Sequence, residues 1–293
     1  MGNIMDYISW RGDLSFEQSQ FNEVDNLILA CFSYVNLDGI SAVTKQKGIG
    51  LKKLTKEFMK LHTMKELEAD KSFIRLAPFM MMEMAKSVRF GKCVVRNYVN
   101  DIVTEAEQQF AAMEIVLEDG TSYVSFRGTD DTIIGWKEDF NMAYLSPVPA
   151  QQEALKYLDS ILALTRNYCY IGGHSKGGNL AFYAAIYSSN KSRIKQVFSH
   201  DGPGFSEKII KSSEYQQTKS LLAKTIPESS IIGMLLYNNE NYTIIKSSES
   251  GILQHDPFSW LVENNSFIHL TKLTKSASYT NKVLKKGLNM NEQ

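Results

Sequence analysis

The segment around Ser175 constrains the fold of this chain more than any other. A short apolar stretch over residues 168–171 leads into Gly173-His174-Ser175-Lys176-Gly177, and apolar residues at helical spacing follow over 179–187. This order predicts a buried strand that turns at once into a helix, with the serine on the turn. Such a turn strains the central residue, and glycines at 173 and 177 remove side chains that would collide. The segment is therefore typical of a nucleophile elbow, which exposes a serine hydroxyl at the carboxyl end of a sheet.

A second interpretation of these residues is a glycine-rich turn in which Ser175 only caps the helix. A phosphate-binding loop fits less well, because Lys176 follows the serine, whereas such a loop requires glycine, lysine and then serine or threonine. A nucleophilic serine makes a further demand on the chain, since it needs a base, and the base needs an acid that orients it.

Strands and helices alternate after about residue 120, which indicates a mostly parallel sheet with helices on both faces. Before that point, Asp119-Gly120 predicts a hairpin between strands over 110–117 and 123–126. Further strands are predicted over 93–99, 168–171, 196–199 and 242–246, and helices over 150–164, 179–187, 258–264 and 275–288. The first 90 residues predict mainly helix, over 21–30, 51–69 and 77–84.

The chain has no repeat and no linker-like segment, so one domain over residues 1–293 is the simplest organisation. Within it we expect a mainly helical N-terminal extension over 1–90, a catalytic sheet core over 91–270 and a C-terminal helix over 271–293. Four methionines over residues 80–84 allow two interpretations of their helix: part of an adaptable apolar pocket or its lid, or a helix packed on the sheet. The packed helix is the more common arrangement.

Three histidines lie beyond Ser175, where the base is expected because acid and base follow a serine of this kind along the chain. His255 lies in a loop nine residues after the last predicted strand, and a loop beyond a strand end is where a base can reach the serine. His200 lies at the end of a predicted strand, beside an aspartate. His269 lies in a terminal apolar stretch, where a surface or core histidine is expected. His255 is the predicted base.

Two carboxylates are candidates for the orienting acid. Asp201 directly follows the predicted strand 196–199, and the run Gly202-Pro203-Gly204 would turn the chain sharply and hold the carboxylate at the sheet edge. Glu228 is the alternative, because many lipases place the acid after the next strand. Asp256 adjoins His255 and is expected to point elsewhere. Asp201 is the predicted acid.

Acyl transfer also needs hydrogen-bond donors for the oxyanion. The backbone N–H of Lys176 is one candidate, and Thr129, in the loop after strand 123–126, is the other, with both its N–H and its hydroxyl. Arg127 is predicted to hold that loop through a salt bridge with Asp139.

Composition excludes several other functions. Lys+Arg and Asp+Glu both total 32, and this zero net charge argues against nucleic-acid binding. Three distant cysteines, at 31, 93 and 169, fit neither a disulfide framework nor a zinc cluster, and favour a reducing cytoplasm. The sequence contains no apolar run long enough for a membrane span and starts without the features of a secretory signal. The His-Asp pairs at 200–201 and 255–256 could suggest a metal phosphohydrolase, but nothing else supplies a ligand set, so no metal is expected.

The motifs together are similar to those of a known family. Phe126-Arg127-Gly128-Thr129, Trp136-Lys137-Glu138-Asp139 and the segment 173–178 resemble the pattern of fungal-type (class 3) lipases, which are α/β-hydrolases. The chain specifically resembles a lipase-like family of unknown function found mainly in Gram-positive bacteria. Further marks of that family lie at 21–25, 135–140, 201–205 and 254–257, and the resemblance covers roughly residues 4 to 265.

Two departures from the class 3 pattern affect the site. Class 3 lipases have an apolar residue after the serine, where this chain has Lys176, and they place an aspartate before Val-Pro, where this chain has Thr225-Ile226-Pro227. The turn that begins at Asp201 instead resembles the acid position of pancreatic-type lipases.

The resemblance implies an α/β-hydrolase fold and serine-hydrolase chemistry. We therefore expect a cytoplasmic esterase or lipase that acts on a small-molecule or lipid ester, with Ser175, Asp201 and His255 as the triad and no cofactor. A non-catalytic ligand-binding or interaction protein of the same fold and an acyltransferase that uses the same triad are the alternatives. The sequence leaves the oligomeric state open.

Overall fold

The computed structural model of the chain describes residues 1–103, 108–129, 147–164 and 166–279. In its N-terminal part the helices are α1 (Ile4–Arg11), α2 (Glu23–Phe32), α3 (Leu51–Leu61), α4 (Met64–Ala69) and α5 (Ala77–Lys86). Further along the chain are α6 (Pro149–Leu164), α7 (Lys176–Tyr187) and the short α8 (Glu207–Ile210) and α9 (Ser213–Thr218).

The described strands are β1 (Ile49–Gly50), β2 (Val94–Val103), β3 (Gln108–Val116), β4 (Ser122–Phe126), β5 (Cys169–His174), β6 (Ile194–His200), β7 (Leu222–Pro227), β8 (Tyr242–Ile245), β9 (Val262–Glu263), β10 (Ser266–Phe267) and β11 (His269–Leu270). Nine of them form one sheet, in the order β1-β2-β3-β4-β5-β6-β7-β8-β11, and β9 and β10 form a separate hairpin. Strands β4 to β8 are mutually parallel. Strand β2 has the same direction, so only β1, β3 and β11 of this sheet are antiparallel to the rest.

The antiparallel half of the sheet follows from its turn chemistry. Strands β3 and β4 pair through the predicted Asp-Gly hairpin, in which Gly120 has φ +81° and the Asp119 side chain accepts from the Thr121 N–H at 2.8 Å. From β4 to β7, helices connect neighbouring parallel strands, and a loop with one 3-10 turn connects β7 to β8. The chain therefore has the predicted α/β-hydrolase fold.

Helices cover both faces of the sheet. Since alternate residues of a strand point to opposite sides, each strand can contribute apolar side chains to both layers. On β3, Met113 and Ile115 pack into the cluster made with the N-terminal helices, whereas Phe110 and Ala112 pack with α6 and α7. Three methionines of α5 (Met80, Met81 and Met84) are fully buried in the first cluster, where α5 packs mainly on α1, α2 and α3.

The predicted helix over 51–69 is two helices, because a new N-terminus forms at Thr63. The Thr63 hydroxyl accepts from the Glu66 N–H, and the Glu66 carboxylate accepts from the Thr63 N–H. This capping box begins α4 three residues after α3 ends.

The helix predicted over 258–264 is wrong. Residues Pro257–Ser259 make a single 3-10 turn, and the chain then extends through the fully buried Trp260 into β9. The Asp256 carboxylate caps that turn by accepting from the Phe258 N–H at 2.9 Å, but the turn stops at Trp260, because Trp260 and Val262 are buried at the alternate spacing of an extended chain. Residues 275–279 are helical, and the remainder of the helix predicted over 275–288 lies outside the described residues.

In the described ranges, no helix combines the length and apolar character needed to cross a lipid bilayer.

Candidate active site

Ser175 occupies the turn between β5 and α7 in a conformation that few side chains adopt. Its φ of 57° and ψ of −133° lie outside the regions favoured by non-glycine residues. The Ser175 N–H donates to the His200 carbonyl of the neighbouring strand at 2.9 Å, and the Ser175 carbonyl accepts from the Gly178 N–H at 2.9 Å. The serine side chain is half-buried. The structure thus places Ser175 on the strained strand-to-helix turn that the sequence predicts.

The two glycines of the elbow allow backbones to approach closely. A Cβ on Gly177 would lie 2.1 Å from the Phe126 carbonyl oxygen on β4, and a Cβ on Gly173 would lie 2.3 Å from the Gly177 carbonyl carbon. These neighbours are backbone atoms, which cannot rotate away as a flexible side chain can. The close packing of α7 on β4 and β5 therefore depends on glycine at both positions.

Replacing Gly177 by alanine should lower the free energy of unfolding by about 3 kcal/mol, because the added methyl group overpacks a site walled by backbone. Urea unfolding followed by far-ultraviolet circular dichroism measures this difference. Gly50→Ala is the matched control, since nothing lies within 4 Å of a Cβ built there, and it should cost at most about 1 kcal/mol. Equal midpoints for the two variants would contradict this account of the elbow.

His255 connects Ser175 to Asp201. Its Nε2 lies 3.0 Å from the Ser175 Oγ, and its Nδ1 lies 2.7 Å from the Asp201 Oδ2. His255 belongs to a 3-10 helix, Gly251–His255, on the loop between β8 and β9. The structure thus brings together the three side chains predicted as nucleophile, acid and base, which are far apart in the sequence.

Asp201 is buried directly after β6 and is held from both sides. Its backbone has φ 51°, and its N–H donates to the Thr225 carbonyl at 2.8 Å. Its Oδ1 accepts from the Ser230 hydroxyl at 2.5 Å and from the Gly233 N–H at 3.1 Å, so that Oδ2 faces the imidazole. Ser230 and Gly233 were not identified in the sequence, because nothing local to either residue signals a contact about 30 positions away.

Glu228, the alternative acid, follows β7. Its backbone N–H donates to the Ile245 carbonyl at 3.0 Å, and its carbonyl accepts from the Thr274 N–H at 2.9 Å. The carboxylate in contact with His255 is that of Asp201.

The other candidate bases have different surroundings. The His200 ring is buried beside Trp260, and burial lowers its pKa to about 3; neither ring nitrogen has a hydrogen-bond partner among the described residues. His269 is half-exposed, and its Nε2 lies 2.8 Å from the Glu23 carboxylate. Of the three candidates, His255 is the one in contact with Ser175.

The loop predicted to supply an oxyanion donor lies beside the serine. A Cβ on Gly128 would lie 3.1 Å from the Ser175 Cβ and 2.7 Å from the His174 carbonyl oxygen, and Thr129 follows directly. The Arg127 guanidinium donates to the Asn100 side chain at 2.6 Å, and the Arg127 N–H donates to the Ala111 carbonyl at 2.9 Å. Asp139, the predicted ion-pair partner of Arg127, lies outside the described residues.

Lys176 is one of the two departures from the class 3 pattern, and its side chain is buried. The Nζ donates to the backbone carbonyl of Gln109 on β3 at 3.1 Å. The Lys176 side chain thus contacts β3, and its backbone N–H is the first of α7.

The chain is similar to several lipases of known structure. The solved structure of the Rhizomucor miehei lipase propeptide complex is 14% identical, with a TM-score of 0.39, over 57% of this chain and 66% of the lipase chain, just under two thirds. M37 lipase is 16% identical, with a TM-score of 0.39, over 71% of this chain and 68% of its own. A triacylglycerol lipase from Penicillium expansum is 11% identical, with a TM-score of 0.39, over 53% of this chain and 70% of its own. No curated protein sequence matches the chain.

A family assignment follows from the sequence. The model of the Mbeg1-like family matches residues 84–293, which include β2 to β11 and the segment around Ser175. This match spans well over half of the 293 residues and confirms the lipase-like resemblance, and the chain therefore belongs to the Mbeg1-like family.

Proposed function

We propose that this chain is a serine hydrolase of the esterase or lipase type, which cleaves a carboxylic ester or thioester through an acyl-enzyme on Ser175. The observation that carries the proposal is the unbroken line of contacts from the Ser175 Oγ through His255 to the Asp201 carboxylate, at 3.0 and 2.7 Å. A serine that only capped α7 would accept from a backbone N–H of the first turn, and no such side-chain cap is formed.

In the first half of the reaction, the His255 Nε2 takes the proton of the Ser175 hydroxyl while the Oγ bonds to the carbonyl carbon of the substrate. The tetrahedral intermediate then expels the alcohol or thiol, which receives that proton from His255. In the second half, His255 takes a proton from water, the hydroxide attacks the acyl-enzyme, and the proton returns to the Ser175 oxygen as the carboxylic acid leaves.

Asp201 determines which ring nitrogen of His255 carries the hydrogen. A carboxylate only accepts, so Nδ1 is the donor, and Nε2 is left bare to receive the serine proton. Because Ser230 and Gly233 both donate to the other carboxylate oxygen, Asp201 cannot rotate away from the imidazole without losing those bonds.

Two backbone N–H groups are proposed to bind the oxyanion. Lys176 is the first residue of α7, where N–H groups lack intrahelical partners, and Thr129 follows the glycine that packs against Ser175. Each such donor contributes about 3–4 kcal/mol to the transition state of acyl transfer.

The proposed setting is the cytoplasm. Cys31, Cys93 and Cys169 are all buried and unpaired, which suits a reducing compartment. Burial also raises the pKa of each thiol, to about 12 for Cys93, so none of them is suited to act as a nucleophile. The proposed substrate is a small-molecule or lipid ester.

A fluorophosphonate probe tests this proposal directly. The folded protein should be labelled with one equivalent, and peptide mass spectrometry should find the label on Ser175. A panel of p-nitrophenyl esters of several chain lengths, competed against the probe, would then identify the acyl group that the site accepts. A well-folded protein that takes no label would favour a non-catalytic binding protein of the same fold, and transfer of the acyl group to an added alcohol in preference to water would favour an acyltransferase.

A further inference from the structure

His174, the residue before Ser175, contacts the backbone of His255 through a hydrogen bond that involves neither Ser175 nor Asp201. The His174 Nε2 lies 2.9 Å from the backbone carbonyl oxygen of His255, and the two rings are 4.6 Å apart between centroids. On the other side, the His174 Nδ1 lies 2.9 Å from the Tyr34 hydroxyl. The side chains of both Tyr34 and His174 are buried.

The direction of these hydrogen bonds follows from the chemistry of the partners. A carbonyl oxygen only accepts, so the His174 Nε2 carries a hydrogen and donates it to His255. Burial lowers the pKa of His174 well below its ordinary value, so the ring is neutral and its Nδ1 is bare. The Tyr34 hydroxyl is therefore the donor to Nδ1, the nearer of its two acceptors, since the His174 backbone carbonyl lies at 3.3 Å.

Tyr34 anchors this line in the N-terminal part of the chain. It follows the end of α2, and its N–H donates to the Cys31 carbonyl in the last turn at 3.1 Å. Its hydroxyl lies 2.2 Å from where a Cβ on Gly128 would be, so it fits between the proposed oxyanion loop and the elbow only because residue 128 is glycine.

The segment before His255 is anchored at Gln254, which is buried: its Nε2 donates to the Glu249 carbonyl at 2.8 Å, and its backbone carbonyl accepts from the Trp260 Nε1 at 2.9 Å. The residues before Gln254 are more exposed. Ile252 and Leu253 are 49% and 46% exposed, and nothing lies within 4 Å of a Cβ on Gly251, whose φ is +57°. The side chain of Gln254 holds one side of the turn, since its Oε1 accepts from the Ser229 N–H at 2.7 Å. The hydrogen bond from the His174 Nε2 holds the backbone carbonyl of His255 itself.

We propose that His174 and Tyr34 are positioning residues, which fix the backbone of His255 so that its imidazole stays in line between Ser175 and Asp201. This inference rests on the proposed function. It assigns a purpose to two side chains outside the line from Ser175 through His255 to Asp201. A displacement of the imidazole by about 1 Å costs roughly 100-fold in rate, because the reacting groups lose their alignment.

Steady-state kinetics on matched variants tests this role. His174→Leu should lower kcat about 100-fold with KM within about threefold, whereas His174→Gln, which keeps an N–H donor near the Nε2 position, should recover most of that loss. Tyr34→Phe should lower kcat about fivefold, as expected for one neutral hydrogen bond. His200→Leu is the control, since His200 pairs with His174 across the sheet and is equally buried, and it should stay within about threefold of wild type.

Two results would overturn the role in catalysis. One is a His174→Leu protein that keeps wild-type kcat. The other is a His174→Gln protein that loses as much kcat as His174→Leu. The N–H that residue 174 donates to the His255 carbonyl would then not be what supports kcat.

Nuclear magnetic resonance of protein labelled with nitrogen-15 at histidine tests the same inference without catalysis. His174 should be neutral and carry its hydrogen on Nε2 at pH 7, and His174→Leu should move the ring signals of His255. A hydrogen on Nδ1, or unchanged His255 signals, would overturn the inference. Wild-type protein that takes no fluorophosphonate label but gives the expected signals would refute the proposed function and leave the hydrogen-bond line in place.

Discussion

Replacing Asp201 by asparagine should lower kcat for an ester substrate about 10⁴-fold while the protein remains folded. The Asp201 Oδ1 accepts from both Ser230 and Gly233, so the carbonyl oxygen of an asparagine would take that side. Its NH2 group would then face the His255 Nδ1 and force that nitrogen to accept. The ring hydrogen would move to Nε2, which could no longer take the proton from Ser175.

Glu228→Gln is the matched control, because it makes the same chemical change at the alternative acid. Its kcat should stay within about threefold of wild type, since the backbone contacts of Glu228 do not involve the side chain. Ser175→Ala should have a kcat about 10⁶-fold below that of the wild type. The double variant Ser175→Ala/Asp201→Asn should have the same kcat as Ser175→Ala, because the triad acts as a unit.

Hydrolysis of a p-nitrophenyl ester measures these rates, with circular dichroism as the check on folding. A large loss in Glu228→Gln together with an active Asp201→Asn would assign the acid to Glu228. Activity that survives in Ser175→Ala would place the nucleophile elsewhere.

The elbow could be predicted from the sequence because its determinants are local. A strand, a glycine-flanked serine and a helix lie within about 20 consecutive residues, and the contacts of Gly173 and Gly177 are with the turn itself and with the adjacent β4. Asp201 and His255 could be proposed as partners because each follows a predicted strand. Their catalytic roles, and the organisation as one domain divided at residues 90 and 270, stay predictions.

The supports of the site could not be predicted, since they depend on contacts that only the fold creates. Tyr34 meets His174 across 140 positions, and nothing in the composition of either segment signals that bond. Strand β7 is absent from the predicted strands because its centre carries Lys224, a poor residue for a buried strand. The fold supplies two partners for Lys224. Its Nζ donates to the Asn238 side chain and lies 3.5 Å from a carboxylate oxygen of Glu240.

The motif at residues 21–25 is one of the marks shared with the lipase-like family, and the structure gives it a physical basis in a buried ion pair. The Asp25 carboxylate accepts from the Arg89 guanidinium at 2.5 and 2.6 Å and from the Tyr7 hydroxyl at 2.9 Å. Both charged side chains are completely buried. Arg89 also donates to the carbonyls of Ser19 and Gln20, so it joins α2 to the loop before it.

Replacing Arg89 by methionine should lower the free energy of unfolding by about 3–5 kcal/mol at pH 7, because it leaves a carboxylate buried without its counter-charge. The loss should shrink as the pH falls. Burial raises the pKa of Asp25, and Arg89 opposes that effect. Without the guanidinium the rise is unopposed, so the folded variant binds a proton at a pH where the unfolded chain does not. Stability of the variant therefore increases as the pH falls from 7 towards the ordinary aspartate value of 3.8.

Urea unfolding of the wild type and the variant at pH 7 and at pH 5 measures both parts of this prediction. Lys60→Met is the control, because it breaks an exposed pair with Glu57 and should change the free energy of unfolding by less than about 0.5 kcal/mol at either pH. If the Arg89→Met deficit were below 1 kcal/mol, the carboxylate would have found another partner. If it grew as the pH fell, the charge left on Asp25 would not be its cause, and the loss of packing and of the bonds to Ser19 and Gln20 would account for it instead.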